Sequence, residues 1–186
     1  MHDLAPLTAL GGDTPVHDSI GPVTITEAPD WALASVAARI GQEKACTTAL
    51  ASALGVAVPG IAAHTRGPVM SAFWTGPHIW MVEAPHHSHE DLAAMLAAKL
   101  GDCASVTEQS DAWVRFDIAG DKVERLFERL CNLDLATMTN GSARRSVIEH
   151  LGCYVIRNLD AVHVYGPRSS ARSLHHALTG AARAVF

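Results

Sequence analysis

The chain has 186 residues, 48% of them hydrophobic, and a formal net charge of −5. That length buries enough apolar surface for one large domain or two small units without a metal or a disulfide. The charges are mixed in sign with no basic block, which leaves no footprint for nucleic acid or an anionic membrane.

Residues 1–22 hold Gly, Pro, Asp and Ser without periodicity and read as an irregular N-terminal arm. Val23 to Glu27 alternates with β-branched residues and reads as a strand, with a second over Trp31 to Ala38. Gln42 to Leu54 reads as a helix, with Ala45, Cys46, Ala49, Leu50, Ala53 and Leu54 on one face and Gly55 as its stop. From Ala45 to Thr65 there is no Asp, Glu, Lys or Arg. Gly55, Pro59 and Gly60 break that stretch, so it reads as a helix and a loop rather than a membrane span. Val69 to Trp74 and Ile79 to Glu83 form a hairpin around Gly76-Pro77. Ser88, with Asp91 three residues on, reads as a capping box opening a helix with Leu92, Met95, Leu96 and Leu100 buried.

The order then repeats. Strands are expected over Cys103–Glu108 and Trp113–Ala119, the latter with Val114, Phe116 and Ile118 on one face and Arg115 and Asp117 on the other. Asp121 opens a helix carrying Val123, Leu126, Phe127 and Leu130. Residues 132–144 read as a loop, Ser146–Ile156 and Ala161–Tyr165 as strands, and Ser169 or Ser170 caps a last helix. The expected architecture is α+β: two related ββαββα units, residues 23–101 and 102–186, with antiparallel sheets and helices packed on one face.

A search for chemistry finds no glycine-rich dinucleotide turn, no P-loop and no nucleophile elbow. If the chain serves a redox enzyme, a partner holds the dinucleotide. Cys46, Cys103, Cys131 and Cys153 form no CxxC pair and read as small hydrophobes in a reducing compartment. His86, His87 and His89 fit no ligand spacing and read as a solvated loop, so no metal site is assigned. Asp134 reads as structural. Trp74, Trp80 and Trp113 on predicted strands, and Arg168 and Arg172 at the start of the last helix, are the candidate contacts for a partner or ligand. The first cation is Arg39 and no basic start precedes an apolar run, so the expected location is cytoplasmic.

Several segments together resemble the gamma subunit of heterotetrameric sarcosine oxidase. They are Phe73-Trp74-Thr75-Gly76-Pro77-His78-Ile79-Trp80-Met81-Val82, Val106 to Asp111 leading into Val114 to Gly120, Leu130-Cys131-Asn132-Leu133-Asp134-Leu135, His150-Leu151-Gly152-Cys153, and Val164 to Ser173. The resemblance covers about residues 25–182. Val106 to Leu135 is also similar to the folate-binding domain of the glycine-cleavage T-protein. Leu174-His175-His176-Ala177-Leu178 departs from the pattern, where aromatics are expected.

The resemblance implies a non-catalytic assembly subunit beside alpha, beta and delta subunits. The complex oxidises sarcosine to glycine, with hydrogen peroxide and, from tetrahydrofolate, methylenetetrahydrofolate as products. FAD, FMN, NAD and zinc are then expected on the partner chains and none on this one. The same type of chain occurs in N-methylglutamate dehydrogenase, and a free-standing folate-binding methyl-transfer protein is the alternative by fold.

Overall fold

The structure, a computed structural model, describes residues 6–186. Its strands are β1 (His17–Ile20), β2 (Val23–Glu27), β3 (Trp31–Ala38), β4 (His64–Arg66), β5 (Ser71–Gly76), β6 (Ile79–Pro85), β7 (Ala104–Glu108), β8 (Trp113–Gly120), β9 (Ser142–Ile148), β10 (Leu151–Arg157) and β11 (Val162–Pro167). Its helices are α1 (Glu43–Leu54), α2 (Leu92–Leu100), α3 (Val123–Leu130) and α4 (Ala171–Val185). None of the described helices is long and apolar enough to cross a membrane.

The chain forms two units, each an antiparallel sheet with two helices on one face. Unit 2 spans 30–110 and 141–143, and its sheet has the order β4-β5-β6-β3-β7. Ala32, Ala34, Val36, Ala72, Val82 and Ala84 point to one side of that sheet and meet Cys46, Leu50 and Leu54 of α1 and Leu92, Leu96 and Leu100 of α2. The period of two on the strands and of three to four on the helices makes these faces coincide. Gly55 ends α1 in the left-handed region (φ 71°) and donates its N–H to Ala51, the role that a residue without Cβ fills at no steric cost.

Among the described residues unit 1 spans 6–29, 111–140 and 144–186, with sheet order β1-β2-β8-β11-β10-β9. Val23, Ile25, Val114, Phe116, Ile118, Val155 and Val164 pack under Leu126 and Phe127 of α3 and Leu174 and Leu178 of α4.

The units do not follow the expected boundary between residues 101 and 102. In chain order the elements do repeat, as ββαβββα twice. The first strand of each repeat, however, serves the other repeat's sheet: β2 pairs with β8, from Val23↔Gly120 to Glu27↔Phe116, and β7 pairs with β3, from Ala34↔Glu108 to Ala38↔Ala104. The sheet orders β4-β5-β6-β3-β7 and β9-β10-β11-β8-β2 therefore correspond strand for strand.

Three local expectations are also corrected. The arm is not wholly irregular: His17–Ile20 forms β1 on the free side of β2. Ser146–Ile156 is not one strand but β9 and β10, separated by Glu149 (φ 47°) and His150 (φ 66°). No capping box opens α2. Ser88 lies in a 3-10 turn, its hydroxyl donates to the Pro85 carbonyl, and the helix starts after Asp91.

Candidate functional site

Two polar clusters lie on the sheet faces that the helices leave uncovered, one in each unit. On β8, the alternation that turns Phe116 into the core turns Arg115 and Asp117 the other way. The pairing of β8 with β11 sets Tyr165 opposite Arg115 and His163 opposite Asp117. The guanidinium holds the Asp117 carboxylate through both oxygens, Nε to Oδ1 at 2.6 Å and Nη2 to Oδ2 at 3.0 Å, and Nη1 donates to the Tyr165 hydroxyl at 3.1 Å. His163 Nδ1 lies 2.6 Å from Asp117 Oδ1, so it is the N–H that donates there. Arg115 is 6% exposed. Burial pushes the Asp117 carboxyl up, but hydrogen bonds from His163 and Arg115 outweigh it and hold the group below its ordinary value. The cluster keeps a carboxylate charged and fixed. The base has its proton partner and the acid its cation, so the arrangement suits clamping two strands rather than moving a proton to a substrate.

Unit 2 has a smaller counterpart. His64 on β4 and Glu83 on β6 are both buried, with Nε2 3.3 Å from Oε1. In unit 1 the buried Glu27 carboxylate receives the backbone N–H groups of Leu10 at 3.0 Å and Val16 at 3.3 Å, fastening the arm to β2. His175 of α4 holds Asp18 of β1 at 2.7 Å and stacks on Phe116 at 5.8 Å.

The sequence-derived candidates are dispersed. Trp80 is 5% exposed, within the unit 2 core, and its indole N–H donates to the Pro59 carbonyl at 2.9 Å. Trp74 is half-buried against the same core. Trp113 in unit 1 is half-buried and tilts against Tyr154 at 5.3 Å, with Arg145 over the other ring at 5.7 Å. Arg168 faces Asp111 at 3.9 Å and donates to the Leu7 carbonyl at 3.1 Å, so the arm and the β7–β8 connection supply its partners. Arg172 is exposed beside Gly11 of the arm. Asp134 accepts the Ala136 N–H at 3.0 Å and caps a 3-10 turn. Among the described residues no three His, Cys, Asp or Glu side chains converge as metal ligands. Unit 1 has a hollow of about 80 Å3 beside Gly120, Arg157 and Leu159 and another of about 280 Å3 between α3 and α4 at Arg129, His176 and Gly180.

The Arg115–Asp117–His163–Tyr165 cluster was missed by the sequence reading. The signal was present as two i, i+2 polar pairs on apolar strands, but only the β8–β11 register joins them.

Comparison with known proteins extends this geometry. No protein-family profile matches the chain, and no curated protein does. Among solved structures, it superposes on a chain of the heterotetrameric sarcosine oxidase from Corynebacterium sp. U-96, crystallised with pyrrole 2-carboxylate. The TM-score is 0.78 at 20% identity, over 90% of this chain and 87% of that one. The two chains share one fold.

The glycine cleavage system aminomethyltransferase T from Bartonella henselae follows, with a TM-score of 0.67 at 15% identity, over 84% of this chain and 45% of that one. The chain thus spans less than half of the T-protein's length. The sarcosine oxidase likeness runs through both units, as the expected α+β fold with antiparallel sheets and one-sided helices requires.

Proposed function

We propose that this chain is the gamma-type subunit of a heterotetrameric sarcosine oxidase, a non-catalytic scaffold in a cytoplasmic complex that demethylates sarcosine oxidatively. The observation that carries the reading is the sarcosine oxidase likeness, which accounts for nearly the whole of both chains. The quoted segments from Phe73 to Ser173 support the gamma assignment. The clusters support the scaffold role, because Arg115–Asp117–His163, His175–Asp18 and Glu27 each spend their charge on holding strands and arm in place.

On this reading alpha, beta and delta subunits are the partners. FAD, FMN, NAD and zinc belong to them, and tetrahydrofolate is a substrate of the assembled enzyme. Half-buried Trp74 and Trp113 and exposed Arg172 are the candidate contacts; Trp80, Arg168 and, through Tyr154, Trp113 also have partners within the chain. The T-protein likeness favours a second reading, a free-standing folate-binding methyl-transfer protein. Titration of the isolated chain with tetrahydrofolate separates the two. The scaffold reading expects no saturable binding, and a stable monomer that binds folate by itself would replace it with the second.

A further inference from the structure

The two sheets correspond residue by residue at one edge. β3 and β8 have the same length and each opens on a tryptophan, Trp31 and Trp113. β7 pairs with β3 as Ala104↔Ala38, Val106↔Val36 and Glu108↔Ala34, and β2 pairs with β8 as Val23↔Gly120, Ile25↔Ile118 and Glu27↔Phe116. Counted from the two tryptophans, Ala38 matches Gly120, Val36 matches Ile118 and Ala34 matches Phe116. Ala-Ser-Val-Thr-Glu of β7 is therefore the counterpart of Val-Thr-Ile-Thr-Glu of β2, glutamate for glutamate. The edges differ in what lies beyond them. β1 runs antiparallel along β2, the Glu27 N–H donates to the Val16 carbonyl at 2.8 Å, and the Glu27 carboxylate takes the Leu10 and Val16 N–H groups. β7 ends its sheet. The Gln109 N–H donates to Leu33 and the Arg39 N–H to Cys103. The alternation of an antiparallel ladder then turns Ser105 and Thr107 toward β3, and Ala104, Val106 and Glu108 away from it. Among the described residues those three have no backbone partner on the outer side. β7 holds no Lys, Arg, Pro or bulge of the kind that blunts an edge. Val106 is half-buried where Ile25 is 1% exposed, and Glu108 is exposed where Glu27 is buried.

We propose that the outer edge of β7 is a docking site for an extended segment of a partner subunit, added as an antiparallel strand in the place that β1 holds in unit 1. That the segment belongs to a different chain rests on the subunit reading above. Charge and size specify it further. Glu108 carries the one charge of β7, so the segment meets it with N–H donors or a cation and not with a carboxylate. Counted from Pro85 and Pro167, Ala93 of α2 stands where His175 of α4 holds Asp18. The residue of the segment that faces α2 is therefore small or apolar, not acidic. An edge of five residues is far short of the roughly 20–30 residues a side of a stable interface. β7 alone thus does not hold a second copy of this chain, and its partner is a chain that makes further contacts elsewhere.

The test is amide hydrogen exchange of the full chain, alone and in the assembly formed on co-expression with the neighbouring genes. In the free chain the Ala104, Val106 and Glu108 amides are expected to exchange as open amides, and those of Ser105 and Thr107 slowly. In the assembly the first three are expected to slow by about tenfold or more. Val106→Pro removes the central outward N–H and leaves the bonds to β3 in place. That variant is expected to keep the wild-type circular dichroism and to assemble about tenfold more weakly or worse. The wild-type exchange map decides even if the variant does not fold. An assembly in which the β7 amides stay as open as in the free chain overturns the proposal and leaves the subunit reading standing. A wild-type chain that enters no assembly removes both. Protection of β7 that grows with the concentration of the isolated chain overturns the assignment to a different chain in favour of a second copy.

Discussion

Replacing Asp117 with Asn tests whether the β8–β11 cluster clamps the sheet of unit 1. The substitution keeps the shape but removes the charge that Arg115 grips through two oxygens at 2.6 and 3.0 Å. Arg115 is 6% exposed, so its guanidinium cannot recover that interaction from water. Breaking one partner of a buried ion pair costs about 3–5 kcal/mol. The lower end applies, because the Asp117 side chain is 30% exposed and Arg115 keeps the Tyr165 hydroxyl as an acceptor. The expected loss is about 3 kcal/mol, or roughly 1.5 M in urea midpoint at a slope of about 2 kcal/mol/M. The pH dependence follows from the same group. Its folded pKa is depressed, so its contribution is complete above the unfolded value of about 3.9 and is lost as pH falls through the folded one. Urea melts of wild type and variant should converge between about pH 5 and pH 2. A gap below about 1 kcal/mol at neutral pH, or one that persists unchanged in acid, would refute the clamp.

Four further outcomes follow from particular contacts. Gly120→Ala should cost about 3 kcal/mol in denaturant melts, because φ is 115° and a Cβ there would lie 2.1 Å from the Pro22 carbonyl oxygen, forcing β2 off β8. Trp80→Phe should cost about 1–2 kcal/mol by the same assay, since the Pro59 carbonyl loses its indole donor. Glu27→Gln should speed amide hydrogen exchange at Leu10 and Val16 several-fold while leaving the β10–β11 amides unchanged, because a neutral amide offers one acceptor where the carboxylate offers two. Replacing Glu149-His150 with Asn-Gly should raise stability by about 1 kcal/mol, since both positions have positive φ in a two-residue hairpin loop. An unchanged melting temperature would contradict that strain argument.

The elements were legible in the sequence wherever periodicity was strong. Val114, Phe116 and Ile118 alternate, Leu92, Leu96 and Leu100 recur at helical spacing, and all six are buried as their patterns require, whereas Met95, expected on the same helical stripe, is exposed. What was not legible is partnership. Val23–Glu27 reads as a strand whether it lies beside β3 or β8, because alternation fixes which face is buried and not which neighbour donates the hydrogen bonds. The division into units therefore could not be read from chain order. Nor could the Arg115–Asp117–His163 cluster, whose members come together only through the β8–β11 register. The β9–β10 turn escaped notice because Glu149 and His150 carry none of the residue chemistry that usually marks positive φ. Arg168 looked unpartnered because its contacts, Leu7 and Asp111, lie more than fifty residues away in sequence.

The central claim is that this chain works as a scaffold inside a flavin-bearing complex. Co-expression with the neighbouring genes, followed by native mass and absorbance spectra of what co-purifies, tests it most directly. The account predicts a yellow assembly holding one copy of this chain with larger flavin-carrying chains, and sarcosine-dependent peroxide release from it. A colourless chain that purifies alone as a stable monomer, while the flavin chains assemble and turn over without it, would contradict the account.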